Sequence, residues 1–193
     1  LTGANKAILL KTLRAVIGTL DPTLQDVRIS KDLKDTFIIR RGGTEIIIQE
    51  GRLLNREVLS SGTADGIDVA MFLAAIIARE STFYYCDEHF SYIQSDIEKR
   101  IFGIMLDRLG NNEQLIFTTH NTDMLDLNLP KHSYIFLRKQ QEDGIYNVSA
   151  ISASEVLKRN TDSIRNAVEN DIFASLPQDS LLDELEMGWA NEQ

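Results

Sequence analysis

A chain of 193 residues suits one domain, and 43% hydrophobic with 25% charged residues supplies enough apolar side chains for a sizeable core. The net charge of −9 excludes a chain that coats nucleic acid by charge alone, and every apolar run is broken by charges well short of a membrane span. The single cysteine, Cys86, excludes an internal disulfide; its place in an apolar run predicts a buried thiol and a reducing, cytoplasmic setting.

Leu9, Leu10, Leu13, Val16, Ile17 and Leu20 recur at helical spacing, which predicts an opening helix that Asp21-Pro22 stops. The stretch has no basic start and no cleavage site, so it is not a signal peptide, and Leu1 in first place rather than Met leads us to expect a trimmed chain. Strands are expected over 27–30, 36–40 and 45–49, the last two forming a hairpin across Arg41-Gly42-Gly43-Thr44. From residue 60 the pattern becomes helix (64–80), strand (82–86), helix (95–109) and strand (115–119), the alternation of a parallel sheet covered by helices. A second hairpin follows over 133–139 and 145–151 around Glu142-Asp143-Gly144, then helices near 154–159 and 161–170. The acidic tail over 178–193 spaces Leu181, Leu185 and Trp189 four apart, as a docking helix would. The expected organisation is one body over 1–177, divided into a helix-and-strand part (1–58) and a lobe (59–177), followed by that tail.

Three motifs carry chemistry. Leu59-Ser60-Ser61-Gly62-Thr63 stands before a long helix, where a hydroxyl, free backbone N–H groups and the positive dipole end suit a phosphate. The same residues are also ordinary N-caps. The apolar strand ending in Asp87-Glu88 delivers two carboxylates to the carboxyl edge of a parallel sheet, where ligands of such sheets bind. There Asp87 suits magnesium, and Glu88 suits a base that orients or deprotonates water attacking a γ-phosphate. The third motif, Thr118-Thr119-His120 after another apolar strand, brings an imidazole to the same edge, with Asn121 the better cap for the segment 122–125. The 33 residues from Asp87 to His120 leave room for one crossover helix and a return strand.

In this order the motifs resemble the C-terminal half of an ABC-type ATPase domain, a P-loop NTPase of α/β class whose parallel sheet is flanked by helices, here with antiparallel hairpins at its margins. The Ser-Ser-Gly-Thr form, the run from His120 to Leu125 and the strand over 134–138 look most like the OLD-like AAA ATPases, relatives of RecF and SMC proteins found in anti-phage and DNA-repair systems. The resemblance implies that Ser60, Ser61, Gly62 and Thr63 form the signature contacting the γ-phosphate of ATP held by the opposite subunit. It makes Asp87 the Walker B ligand of Mg2+, Glu88 the catalytic glutamate and His120 the switch histidine. Tyr92, Ile93 and Gln94 fall in the D-loop at the dimer interface. Gln94 stands where Asp or His is common, and His89-Phe90 replaces a more familiar pair. The partner implied is a second copy, or a chain supplying the Walker A site; nucleic acid or an effector protein would engage the rest of the polypeptide, and no membrane is involved.

No G-x-x-x-x-G-K-[ST] run occurs in the sequence, and Gly3-Ala4-Asn5-Lys6 lacks the earlier glycine and the hydroxyl after lysine. The 193-residue chain alone is therefore expected to show little or no ATPase activity. Two other readings compete: a metallohydrolase holding a divalent ion with Asp87, Glu88, His89 and His120, and a non-catalytic interaction module derived from an ATPase. Phe83, Tyr84 and Tyr85 read as sheet core. Arg40-Arg41 and Lys131-His132 read as solvated turns, and Asp96, Glu98, Lys99 and Arg100 as the wet face of a helix with an Asp96–Arg100 pair.

Overall fold

The computed structural model describes residues 2–142, 145–159, 161–176 and 182–183, in two compact units divided after Asp123. The expected turn residues Asp143 and Gly144, and Leu181, Leu185 and Trp189 of the tail, lie outside the described residues.

In the first unit, helix α1 (Gly3–Leu20) is capped by Thr2, whose side chain accepts a hydrogen bond from the Asn5 N–H at 3.1 Å, and buries the stripe Leu9, Leu13, Val16 and Ile17. It ends at Asp21, which is buried. Both the N–H and the hydroxyl of Thr23 donate to Asp21 Oδ1, at 2.9 and 2.6 Å, and Arg41 Nε lies 2.5 Å from Oδ2. The Thr23 hydrogen bonds and the Arg41 charge hold the carboxyl below the usual carboxylate range, although burial opposes them. Arg41 is thus an ion-paired strand residue and not part of a solvated turn.

Strands β1 (Leu24–Ile29), β2 (Thr36–Arg41), β3 (Thr44–Gln49) and β4 (Arg52–Leu53) form an antiparallel sheet in that order. The β2–β3 hairpin closes through Gly42 and Gly43, both at positive φ (48° and 81°), the backbone that a two-residue turn requires and glycine adopts without strain. Phe37 opposes Ile48 and Ile39 opposes Ile46, so both strands send alternate residues into the core. β1 begins three residues earlier than the sequence predicts, because pairing with β2 continues through Asp26 and, across a register shift at Gln25, to Leu24.

Helix α2 (Ser61–Ile77), strand β5 (Phe83–Asp87), helix α3 (Ser95–Arg108) and strand β6 (Gln114–Thr118) complete the unit, with β5 and β6 paired in parallel. The α/β class is as expected, with antiparallel hairpins in the chain as well as the parallel pair. One core joins α1, the antiparallel sheet, α2, β5 and α3. Tyr84 and Cys86 are buried, Tyr84 edge-on to Phe72 with centroids 6.1 Å apart and its hydroxyl donating to the Ala75 carbonyl at 3.3 Å. Phe83 and Tyr85, expected in the core, are half exposed at 51% and 52%: only one face of β5 meets this core, and the period of two turns these residues to the other. Glu98 is likewise not on a wet face, being 2% exposed, and Asp96 pairs with Lys99 at 3.2 Å in place of Arg100.

The second unit holds the hairpin β7 (Ile135–Glu142) and β8 (Ile145–Ser152), helices α4 (Ala153–Val156) and α5 (Ile164–Glu169), and a small core. Phe136 stacks on Phe173 with centroids 4.0 Å apart. Lys131, read from sequence as solvated, is only 20% exposed and donates from Nζ to the carbonyls of Leu157 and Arg159.

Candidate functional site

β5 and β6 run side by side in the same direction with Asp87 opposite Thr118, so both strands end at one edge. Thr118 donates from Oγ1 to Asp87 Oδ1 at 2.7 Å, and the Glu88 N–H continues the ladder to the Thr118 carbonyl at 3.2 Å. That pairing brings two residues 31 apart in sequence into one polar cluster. Tyr85, two residues before Asp87 on the same face, has its phenol raised above its usual value, chiefly by the Asp87 carboxylate. Between them Cys86 points inward, and burial pushes its thiol up to about 11. The thiol is therefore inert ballast in the strand and not a nucleophile.

Glu88 leaves the strand with φ at +53°, the left-handed region that a non-glycine residue enters at a cost on the order of 1–3 kcal/mol. The turn that holds it there is closed by Ser91, whose hydroxyl and N–H donate to the Glu88 carbonyl at 2.8 and 3.4 Å. Across the edge, His120 Nε2 lies 2.8 Å from Glu88 Oε1, with the two side chains 86% and 49% exposed. A contact this exposed contributes little to stability. Asn121 Oδ1 accepts the Asp123 N–H at 3.0 Å, capping the turn after the loop as expected and leaving His120 to face Glu88.

Ser60 caps α2: its Oγ accepts the Thr63 N–H at 3.3 Å and lies 2.8 Å from Thr63 Oγ1. Thr63 is buried, whereas Ser60 and Ser61 are exposed at the helix start. Gly62 sits against the segment after Glu88: a Cβ added there would lie 3.4 Å from the Tyr92 carbonyl oxygen. In that segment Tyr92 (68% exposed) and Gln94 face solvent, while Ile93, expected beside them at an interface, is buried in the core with Phe90.

Solved structures with similar coordinates are SMC heads. The chain is 15% identical to an SMC head bound to the C-winged helix domain of ScpA, at a TM-score of 0.49, covering 78% of this chain and 45% of that one. It is 15% identical to an SMC ATPase described for ATP-driven dimerization and DNA-stimulated activation, at a TM-score of 0.47, covering 79% and 88%. It is 18% identical to the SMC head domain from Thermotoga maritima, at a TM-score of 0.37, covering 78% and 52%. The chain thus spans less than half the length of the first of these. No protein-family model and no curated protein matches the sequence.

Chemically, the edge offers two kinds of group. Asp87 with the Thr118 hydroxyl presents hard oxygens, the donor set magnesium prefers while it keeps much of its water. Glu88 and His120 present a carboxylate and an N–H donor in contact. Among the described residues no group of three or more His, Cys, Asp or Glu side chains is placed to hold a metal ion. Sequence reasoning missed Thr118 as the partner of Asp87 and Glu98 behind the loop. The doublet Thr118-Thr119 at a strand end was the available signal for the first; nothing local marks the second.

Proposed function

We propose that the chain is the signature and Walker B half of a dimerising ABC-type ATPase of the OLD-like group, binding and hydrolysing ATP together with a Walker A-bearing segment. What carries the reading is the 2.8 Å contact between Glu88 Oε1 and His120 Nε2 at the ends of adjacent parallel strands, with Asp87 beside them. Asp87 and Thr118 would hold Mg2+, which supplies charge neutralisation at the phosphates. Glu88 accepts a proton from, or orients, the attacking water, and His120 donates a hydrogen bond to the γ-phosphate. Ser60 to Thr63 offer the α2 N-terminus to the γ-phosphate of ATP on the opposite subunit. Tyr92, Ile93 and Gln94 lie along the dimer interface, with Ile93 anchoring the segment and its neighbours facing across. Opening and closing of that dimer, in a cytoplasmic anti-phage or DNA-repair system, drives an attached activity.

The dimer itself is the test. The Glu88→Gln variant, joined to its Walker A-bearing segment, is expected to double its mass in light scattering on addition of Mg·ATP and to run as a monomer without it. A mass unchanged at saturating Mg·ATP contradicts the sandwich.

A further inference from the structure

Behind the exposed Glu88–His120 pair lies a half-buried polar cluster around one buried carboxyl, which neither residue's own chemistry requires. Glu98, one turn into α3, is 2% exposed. Its carboxylate accepts two hydrogen bonds from the loop after β6: Thr119 Oγ1 donates to Oε1 at 2.9 Å and Asn121 Nδ2 to Oε2 at 2.5 Å. These donors are the residues immediately before and after His120. Ser95, the first residue of α3, adds a second tie, its Oγ lying 3.0 Å from Asn121 Nδ2 and donating to Asp123 Oδ2 at 2.6 Å. Thr119 Oγ1 also accepts the Asn121 N–H at 3.0 Å, so the backbone on both sides of His120 is held.

A buried carboxylate is costly unless it is fully hydrogen-bonded, and an apolar residue in its place would pack at no such cost. The site therefore spends a buried charge on fixing one loop. The 86% exposed His120 ring has the opposite character: without a fixed backbone it would sample many rotamers and meet Glu88 only part of the time.

We infer that Glu98 is a positioning residue, a clamp that grips Thr119 and Asn121 to hold the His120 imidazole against Glu88. The inference deepens the reading of Glu88 and His120 as a hydrolytic pair and rests on it. Because α3 also follows directly from the segment over 91–94, the clamp couples that segment's helix to the imidazole: a shift of α3 moves Glu98, and with it His120. One carboxylate thus links the proposed interface segment to the hydrolytic pair.

The test is the imidazole 15N and 13C spectrum of His120 in the labelled 193-residue chain at fixed pH without nucleotide, assigned through His120→Asn. Taken without nucleotide, it reads the geometry whether or not the chain belongs to an ATPase, so failure of the clamp and failure of the function are told apart. Glu88→Ala is expected to move the His120 resonances by removing their partner. Glu98→Ala is expected to move them in the same direction, leaving His89 and His132 in place. Glu98→Gln keeps the volume and one acceptor but faces one loop donor with an amide, and should give an intermediate shift with melting temperature nearly kept. A melting temperature lowered in Glu98→Ala and Glu98→Gln with unmoved His120 resonances overturns the proposal, as a purely structural carboxylate would behave so. If Glu98→Ala does not fold, Glu98→Gln alone decides on the same readout. Resonances that Glu88→Ala fails to move overturn it as well, since the clamp would then have no pair to hold.

Discussion

Under the proposed function, replacing Glu88 with glutamine is expected to lower ATP turnover by the chain joined to its Walker A-bearing segment about 100- to 10,000-fold, the range over which a positioned general base contributes. Glutamine keeps the length and shape of the side chain and can still accept from His120 Nε2, so the 2.8 Å contact and the turn closed by Ser91 have no reason to open. What is lost is the basicity at the atom facing water. ATP affinity should therefore hold while the hydrolytic step collapses, a kcat effect with little change in KM. Phosphate release in steady state checks this, with nucleotide binding measured separately by fluorescence. Turnover within about threefold of the parent would mean that Glu88 makes no transition-state contribution of the kind assigned to it.

Phe37→Ala should destabilise the first unit by about 3–5 kcal/mol, the cost of an aromatic side chain removed from a close-packed core. Phe37 is 1% exposed and opposes Ile48, which is itself fully buried, and it belongs to the core that continues through Ile67 and Tyr84 to Cys86. The space left is walled by two sheet strands whose backbones are fixed by ladder hydrogen bonds, so it collapses poorly. Urea unfolding followed by far-UV circular dichroism gives the loss from the shifted midpoint at constant slope. A loss under about 1 kcal/mol would place Phe37 outside the packed interior, since surface substitutions stay in that range.

The candidate edge was legible as a place where polar strand ends meet, because its residues announce themselves in order along the chain. An apolar strand that stops at Asp87-Glu88 and another that stops at Thr118-Thr119-His120 need only be adjacent and parallel for the polar ends to meet, and the helix between them enforces that. Asn121 as a cap was equally readable, since a side-chain oxygen two residues before an N–H is a local geometry. Glu98 was not. Its neighbours Asp96, Lys99 and Arg100 are polar, so periodicity assigns the whole turn to solvent, and only the return of the chain 21 residues later shows that Thr119 covers it. Phe83 and Tyr85 misled for the complementary reason. Their apolarity says that they pack in some setting, but which face of β5 a core occupies is decided by how α2 folds back on the strand, which the strand's own residues do not encode. The four-stranded sheet came through in outline, with β4 missed because two residues carry no period.

The most direct measurement of the central claim is paramagnetic. Mn2+ replaces Mg2+ at hard oxygen sites, and its unpaired electrons broaden nearby resonances, so under the proposed function Mn·ATP bound where Asp87 and Thr118 meet should erase the His120 imidazole signals of the chain joined to its Walker A-bearing segment. The account predicts that erasure, its reversal by excess Mg·ATP, and its loss in Asp87→Asn. His120 signals that stay sharp while Mn·ATP is bound would put the nucleotide elsewhere and contradict the assignment of this edge as the site of hydrolysis.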